Sequence, residues 1–211
     1  HCQCRRQRQM CIRDSPISVK MRLGTGGIPD TALEITERLE SEGVIRVCVH
    51  GRTLKQRYSG IADWDSINQI VNSVSIPVIA NGDVTDAKSA ESCLSVTGAA
   101  GLMIGRAAIG RPMIFHTIKK ELGWTKEKPP WEFDDPIISR IWCWERYLTL
   151  CDEVYGEAGS KNSKRHAISF TKGLPGASAM RVSLHKAQSH QQLGRMVSTY
   201  LRDLECSAMA H

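Results

Sequence analysis

No run of apolar residues in this chain approaches the roughly 18 needed to cross a bilayer, so nothing in it reads as a membrane-spanning helix. No apolar core follows the arginine-rich start "HCQCRRQRQMCIRDS", which therefore does not read as a secretory signal. Asp14 and the missing amphipathic pattern argue against a transit peptide there. No C-x-x-C pair occurs among the eight cysteines at positions 2, 4, 11, 48, 93, 143, 151 and 206, which removes the usual zinc and dithiol spacings. Cys48 and Cys93 fall inside expected elements, where they serve as small apolar residues. His1 with Cys2, Cys4 and Cys11 is the one combination left for a metal, and no metal is expected. Reduced cysteines in a cytoplasmic protein account best for the pattern.

Acidic residues are scarce in the last quarter. Residues 1–159 hold 20 Lys and Arg against 20 Asp and Glu, which cancel. The formal charge of +6 therefore sits in residues 160–211. There Lys161, Lys164, Arg165, Lys172, Arg181, Lys186, Arg195 and Arg202 face only Asp203 and Glu205. A solvated helical face explains such a cluster on charge alone, but one-signed charge on a terminal module also fits a polyanionic partner.

What the chain has instead is a regular succession of strand and helix patterns. Residues 17–23 read as a strand and 30–42 as a helix closed by Gly43; 44–49 and 63–74 form a second pair. Residues 76–80 and 86–96 form the third, capped by Asp86 and closed by Gly98, and 100–104 with 112–122 the fourth, with Pro112 in the first helical turn. The strands recur every 24 to 32 residues, as right-handed β-α-β units require. The fold class is α/β with a parallel sheet. "TKEKPPWEFDDP" at 125–136 reads as a linker by its prolines and charges. A helix over 136–155, a polar loop "GEAGSKNSKRH" and helices over 177–187 and 190–204 follow. The expected organisation is an unassigned segment 1–15, an α/β part 16–122, a linker 123–136 and a small all-helical, basic domain 137–211.

Parallel α/β folds gather chemistry at the carboxyl ends of their strands. Those ends carry Lys20 and Arg22 in "VKMRLG", His50 and Arg52 in "VHGRT", Asn81, Gly82 and Asp83 in "IANGD", and Gly105 and Arg106 in "MIGRAAIG". A single Asn-Gly-Asp is usually a turn, and a single His or Lys at a strand end is usually structural. Four such ends in succession point to a ligand. Glycine beside polar residues ahead of a helix suits a phosphate group, with Arg106 adding a full charge.

The segments "VKMRLG", "VHGRTLKQRYSGIADW", "IPVIANGD", "GLMIGRAAIGRPMIF" and "KRHAISFTKGLPGASAMR" resemble, in order and spacing, the second half of the tRNA-dihydrouridine synthases, from about residue 16 onward. The resemblance implies the second half of a (β/α)8 TIM barrel, four βα units, followed by a helical tRNA-binding domain. It also implies FMN as cofactor and NADPH as reductant for converting a tRNA uridine to 5,6-dihydrouridine. Carried over, Lys20 lies beside the isoalloxazine and His50 at its edge. Asn81, Gly82, Asp83, Gly105 and Arg106 hold the FMN phosphate and ribityl chain. Arg52 becomes a candidate for the target uridine or its phosphate, and Lys161, Lys164, Arg165, Lys172 and Arg181 for the tRNA backbone.

One departure stands out. The family's proton-donating cysteine lies in an N-x-G-C-P loop, and no such loop occurs in this sequence. The expectation is a truncated portion of the enzyme, inactive alone, whose full-length form is a cytoplasmic monomer. A different FMN barrel, such as a dihydroorotate dehydrogenase, shares the lysine and the phosphate loops but has no need of the basic tail. A non-catalytic RNA-binding module is the third reading.

Overall fold

The computed structural model describes residues 15–26, 31–156, 159 and 161–209. The His1, Cys2, Cys4 and Cys11 combination, the start of the leader and Asp30 lie outside the described residues. The chain divides into two compact units, residues 1–105 and 106–211. The division falls directly after the fourth strand, and the proline-rich segment 125–136 lies inside the second unit.

The first unit is α/β. Its strands are β1 (Ser18–Arg22), β2 (Arg46–His50), β3 (Val78–Asn81) and β4 (Gly101–Met103), all parallel and in the order β1-β2-β3-β4. Helices α1 (Ala32–Ser41), α2 (Trp64–Ser73) and α3 (Ala87–Thr97) connect them. Strand side chains alternate between faces, and parallel partners share a face. Val19, Met21, Val47, Val49, Val78, Ala80 and Leu102 therefore form one face. Val47, Val49 and Ala80 are fully buried there, together with Ile67 and Ile70 of α2 and Ala90 and Cys93 of α3. Thr36 of α1 donates to Met21 Sδ from the same side.

The opposite face carries Lys20, Arg22, Cys48, His50, Ile79, Asn81, Gly101 and Met103. Cys48 Sγ lies 3.5 Å from Met103 Sδ although β3 runs between their strands. Such a contact across an intervening strand fits the concave side of a curled sheet. Helix starts follow their caps. Asp63 accepts from the Ser66 amide ahead of α2, and Asp86 forms a reciprocal capping box with Ser89 ahead of α3. The α3 amide that an anion would meet at that helix end is thus already held by a carboxylate of the chain itself.

The described elements of the second unit are all helical: a 3-10 turn (Arg106–Ala108), then α4 (Ile114–Glu121), α5 (Pro136–Tyr155), α6 (Ser163–Thr171), α7 (Ala177–Lys186) and α8 (His190–Met209). Helix α6 corrects the polar loop expected over 156–166. Its inward positions are Ser163, Ala167, Phe170 and Thr171, so only a short apolar stripe marked it. Trp144 centres the core of this unit at 1% exposure. Its ring lies 5.2 Å from that of Tyr147 and 5.0 Å from that of Phe170, and its indole donates to the Gly194 carbonyl at 3.4 Å. Leu184, Val197 and Leu201 from α7 and α8 complete the cluster. Segment 125–136 is held to α4 by the Lys120–Glu132 ion pair.

Among the described residues no helix is long and apolar enough to cross a membrane. Cys48, Cys93, Cys143 and Cys151 are buried free thiols, and burial pushes the Cys93 and Cys143 thiols up to about 11. Replacing Trp144 by Ala removes the side chain on which α5, α6 and α8 converge. The expected loss is about 3–5 kcal/mol in denaturant unfolding, read as a lower transition midpoint.

Candidate functional site

The register places the last residues of the four strands in one row, Arg22, His50, Asn81 and Met103, on the concave face. Lys20 lies one layer below on that face, in the row of Cys48, Ile79 and Gly101, and is exposed. Lys20, His50, Asn81, Gly82 and Asp83 are thus brought to one end of the sheet, as the strand-end pattern implied. Asn81 uses its side-chain amide to donate to the Met103 carbonyl at 2.7 Å, which extends the β3–β4 pairing beyond the strand. Arg22 belongs to the same row but was not singled out as a ligand-binding residue. Its i, i+2 relation to Lys20 was the signal available. It donates from Nη1 to the Thr53 and Arg57 carbonyls, both at 2.9 Å, and its guanidinium lies 5.8 Å from the Tyr58 ring centre.

His50 is 6% exposed. Burial lowers its pKa to about 4, and the cations of Arg22, Lys20 and Arg52 push in the same direction against a smaller opposing effect of Asp83. The imidazole is therefore neutral at pH 7, offering one donor and one acceptor and no charge.

The loop from Gly51 to Trp64 folds back on the strand ends. The Asp63 amide donates to the Gly51 carbonyl at 2.6 Å, and a side chain on Gly51 would stand 2.8 Å from the Asp63 carbonyl oxygen. Gly82 has φ +125°, and a Cβ there would lie 2.7 Å from Ala62 Cβ and 3.1 Å from the His50 ring. The glycine between Asn81 and Asp83 is thus required by the chain's own packing. Trp64 Nε1 donates to the Gly82 carbonyl at 3.2 Å. Arg52 is 2% exposed; its Nε donates to the Ser59 carbonyl at 3.2 Å, and Nη2 donates to the Gly60 carbonyl at 2.6 Å and to Asp83 Oδ2 at 2.7 Å. The same Asp83 oxygen accepts from the Ala62 amide at 2.7 Å. None of these partners of Arg52 was visible as a pair in the sequence.

Gly105 is exposed, and a Cβ there would meet nothing within 4 Å. It is the last residue of the first unit, and Arg106 opens the second in the 3-10 turn. Lys161, Lys164, Arg165, Lys172 and Arg181 are exposed in the second unit. Lys164 donates to the His185 carbonyl at 3.0 Å, joining α6 to α7. The "KGLPGA" stretch is the α6–α7 turn, held by a 2.6 Å bond from Tyr200 to the Pro175 carbonyl. An apolar cavity of about 450 Å³ in this unit is walled by Met113, Trp131, Trp142, Tyr147, His166 and Phe170, and none of the expected RNA-facing residues lines it.

The family model described as dihydrouridine synthase matches residues 4–205. The chain belongs to the dihydrouridine synthase family. The matched span takes in most of residues 1–15, which carry none of the motifs quoted above. A probable tRNA-dihydrouridine synthase 1 of Synechocystis is 32% identical over 85% of this chain and 49% of its own length. A probable tRNA-dihydrouridine synthase of Rickettsia conorii is 38% identical over 79% and 49%, and tRNA-dihydrouridine synthase B of Pseudomonas putida is 34% identical over 84% and 52%. The chain spans about half the length of these curated relatives. A dihydropteroate synthase structure from Xanthomonas albilineans aligns over 94% of each chain at 12% identity, but its TM-score of 0.35 is too low for a shared fold to follow.

The His50 environment yields a pH dependence with a definite sign. A folded-state pKa of about 4, below the ordinary 6.5, means that the unfolded chain binds the proton more readily. Stability contributed by His50 is complete above about pH 6.5 and is lost as pH falls toward 4. Denaturation across that window should show stability falling with acidification, and His50→Gln should flatten the slope. A His50 ring titrating near 6.5 by NMR would contradict it.

Proposed function

We propose that this chain is the carboxyl-terminal portion of a flavin-dependent synthase that reduces tRNA uridine to 5,6-dihydrouridine with NADPH. In this reading the sheet is the second half of a TIM barrel and the helices form the tRNA-binding part. The full-length enzyme is then a cytoplasmic monomer. The observation that carries it is the row of Arg22, His50 and Asn81, with Lys20 below, on a concave sheet face at the carboxyl ends of the strands. Family membership gives that row its chemical meaning.

The residues fit FMN on their own terms. Lys20 is an exposed cation on the concave face, His50 beside it is neutral, and Asn81 and Gly82 follow directly. When bound, the flavin supplies the hydride. Lys20 would supply positive charge to balance the negative charge of a reduced isoalloxazine, and the neutral His50 would contribute a hydrogen bond without a second cation. Asn81, Gly82 and Gly105 would hold the ribityl chain and phosphate, with Arg106 as the phosphate cation; the Asp83 carboxylate, expected from the sequence to join them, is engaged by Arg52 and the Ala62 amide instead. Lys161, Lys164, Arg165, Lys172 and Arg181 would contact the tRNA backbone. No residue described takes the role of the family's proton-donating cysteine.

The test is full-length protein given FMN, NADPH and an unmodified tRNA transcript, with the gain of two hydrogens on uridine read by mass spectrometry. Arg106→Ala should weaken FMN binding about 10- to 150-fold, since a charge-assisted phosphate contact contributes roughly 1.5–3 kcal/mol. Tight RNA binding without any flavin uptake would favour the RNA-binding module instead.

Replacing Lys161, Lys164 and Arg165 together should leave the flavin spectrum unchanged. It should reduce the slope of log affinity for tRNA against log salt by roughly 2 to 3, at about 0.7–0.9 for each phosphate contact. An unchanged slope would return the cluster to a solvated face.

A further inference from the structure

We propose that Arg52 is a positioning residue that latches the 59–62 loop onto the Asn81–Asp83 segment, and that it does not meet the substrate. The proposal rests on the reading that this segment holds a flavin. Arg52 follows His50 by two residues and is 2% exposed. Its planar fork reaches two backbone carbonyls, Ser59 and Gly60, and one carboxylate, Asp83. The Asp83 oxygen that it meets is the one that accepts from the Ala62 amide. One carboxylate oxygen therefore ties the start of the 51–64 loop just after β2, the far end of that loop and the turn after β3. Nη1 is buried as well and has no acceptor among the described residues.

Two consequences follow. Asp83 sits at φ +57°, a left-handed conformation, with its carboxylate drawn to Arg52. The acid is then neutralised inside the fold, so the 81–83 segment does not present it to an anionic ligand. Ala62, placed by the same latch, lies against Gly82, which in turn lies against the His50 ring. The position of the imidazole edge is thus coupled to a pair on the far side of the turn. Lysine cannot replace Arg52 here, because an ammonium group is a point donor without the fork that spans two carbonyls and a carboxylate.

The test uses full-length protein carrying Arg52→Lys, Asp83→Asn and both changes. Three readouts are taken: FMN affinity, the visible circular dichroism of bound flavin, and KM for tRNA at saturating FMN. A latch predicts FMN affinity lowered about tenfold or more by each single change and an altered flavin dichroism. It also predicts a double mutant no worse than about the weaker single one, since the pair acts as a unit. KM for tRNA stays within about twofold once FMN saturates. Hydrogen exchange at the Ala62 amide rises in both single variants, a readout that needs no cofactor.

Unchanged FMN affinity with a raised KM for tRNA would make Arg52 a substrate contact and overturn the proposal. So would additive effects or unchanged Ala62 exchange. Wild-type protein that takes up no FMN, with Ala62 exchange still raised in the variants, would leave the latch standing and remove the flavin reading.

Discussion

Side-chain alternation along four parallel strands decides where everything else in the first unit lies. Val47, Val49 and Ala80 point to the helices, and their neighbours Cys48, His50 and Asn81 point away. A slip of one residue in any strand would turn a polar side chain into the helical layer and an apolar one out of it. The penalty is steep here, because Lys20 and Arg22 are both cations on the face of β1 turned away from the helices. The row of polar residues at the strand ends is therefore the necessary complement of the buried valines. A parallel sheet ordinarily has both faces covered. The concave curl that brings Cys48 to Met103 across β3 fits a sheet whose second face is the inside of a barrel, which is the reading proposed above.

That inward face has an electrostatic asymmetry. The charges acting on His50 are three cations, Arg22, Lys20 and Arg52, and one anion, Asp83. Arg52 and Asp83 neutralise each other within the fold, and Arg22 is anchored by two carbonyls. A buried histidine beside such cations stays uncharged, while Lys20, and Arg46 at the start of β2, are exposed cations of that face. The arrangement separates holding charges from facing charges. Under the proposed function, a cation suited to an anionic ring system would be presented, and a carboxylate that would repel it withdrawn.

Much of this was legible in the sequence because strands and their ends depend on local pattern. The expected strands 17–23, 44–49, 76–80 and 100–104 differ from those observed by one or two residues at their ends, and Asp86 caps its helix as the motif implied. Helix α6 was missed because its inward side offers Ala167 and Phe170 while Ser163, Lys164, Arg165 and His166 fill its first turn. Within the site, strand-end positions could be read from alternation. The engagement of Arg52 could not, since its carboxylate partner lies 31 residues away and its carbonyl partners carry no side-chain signal. Trp64 and Ala62 were likewise hidden, because a loop that folds back leaves no periodicity. The comparison with known proteins recovers the family, but only coordinates separate a residue that faces a ligand from one that holds the loop behind it.

The same separation applies to the basic residues of the second unit. Arg140 looks like part of the positive surface, yet it donates to the Phe170 and Lys172 carbonyls at 3.2 Å, closing the end of α6. Burial lowers its pKa, with Arg111 acting in the same direction, as suits a guanidinium used for structure. Arg202 pairs with Glu145 at 2.7 Å. Within residues 160–211, Arg202 is thus paired and Lys164 is engaged by the His185 carbonyl, so the excess charge there is not a uniform field. Arg165 lies in the first turn of α6 and Lys172 caps its carboxyl end, about 10 Å away along the axis. That separation is comparable with the screening length of about 8–10 Å at physiological salt. Under the proposed function, two such cations would act as separate phosphate contacts more than as one combined charge. Contacts of that kind orient a polyanion without reading its bases.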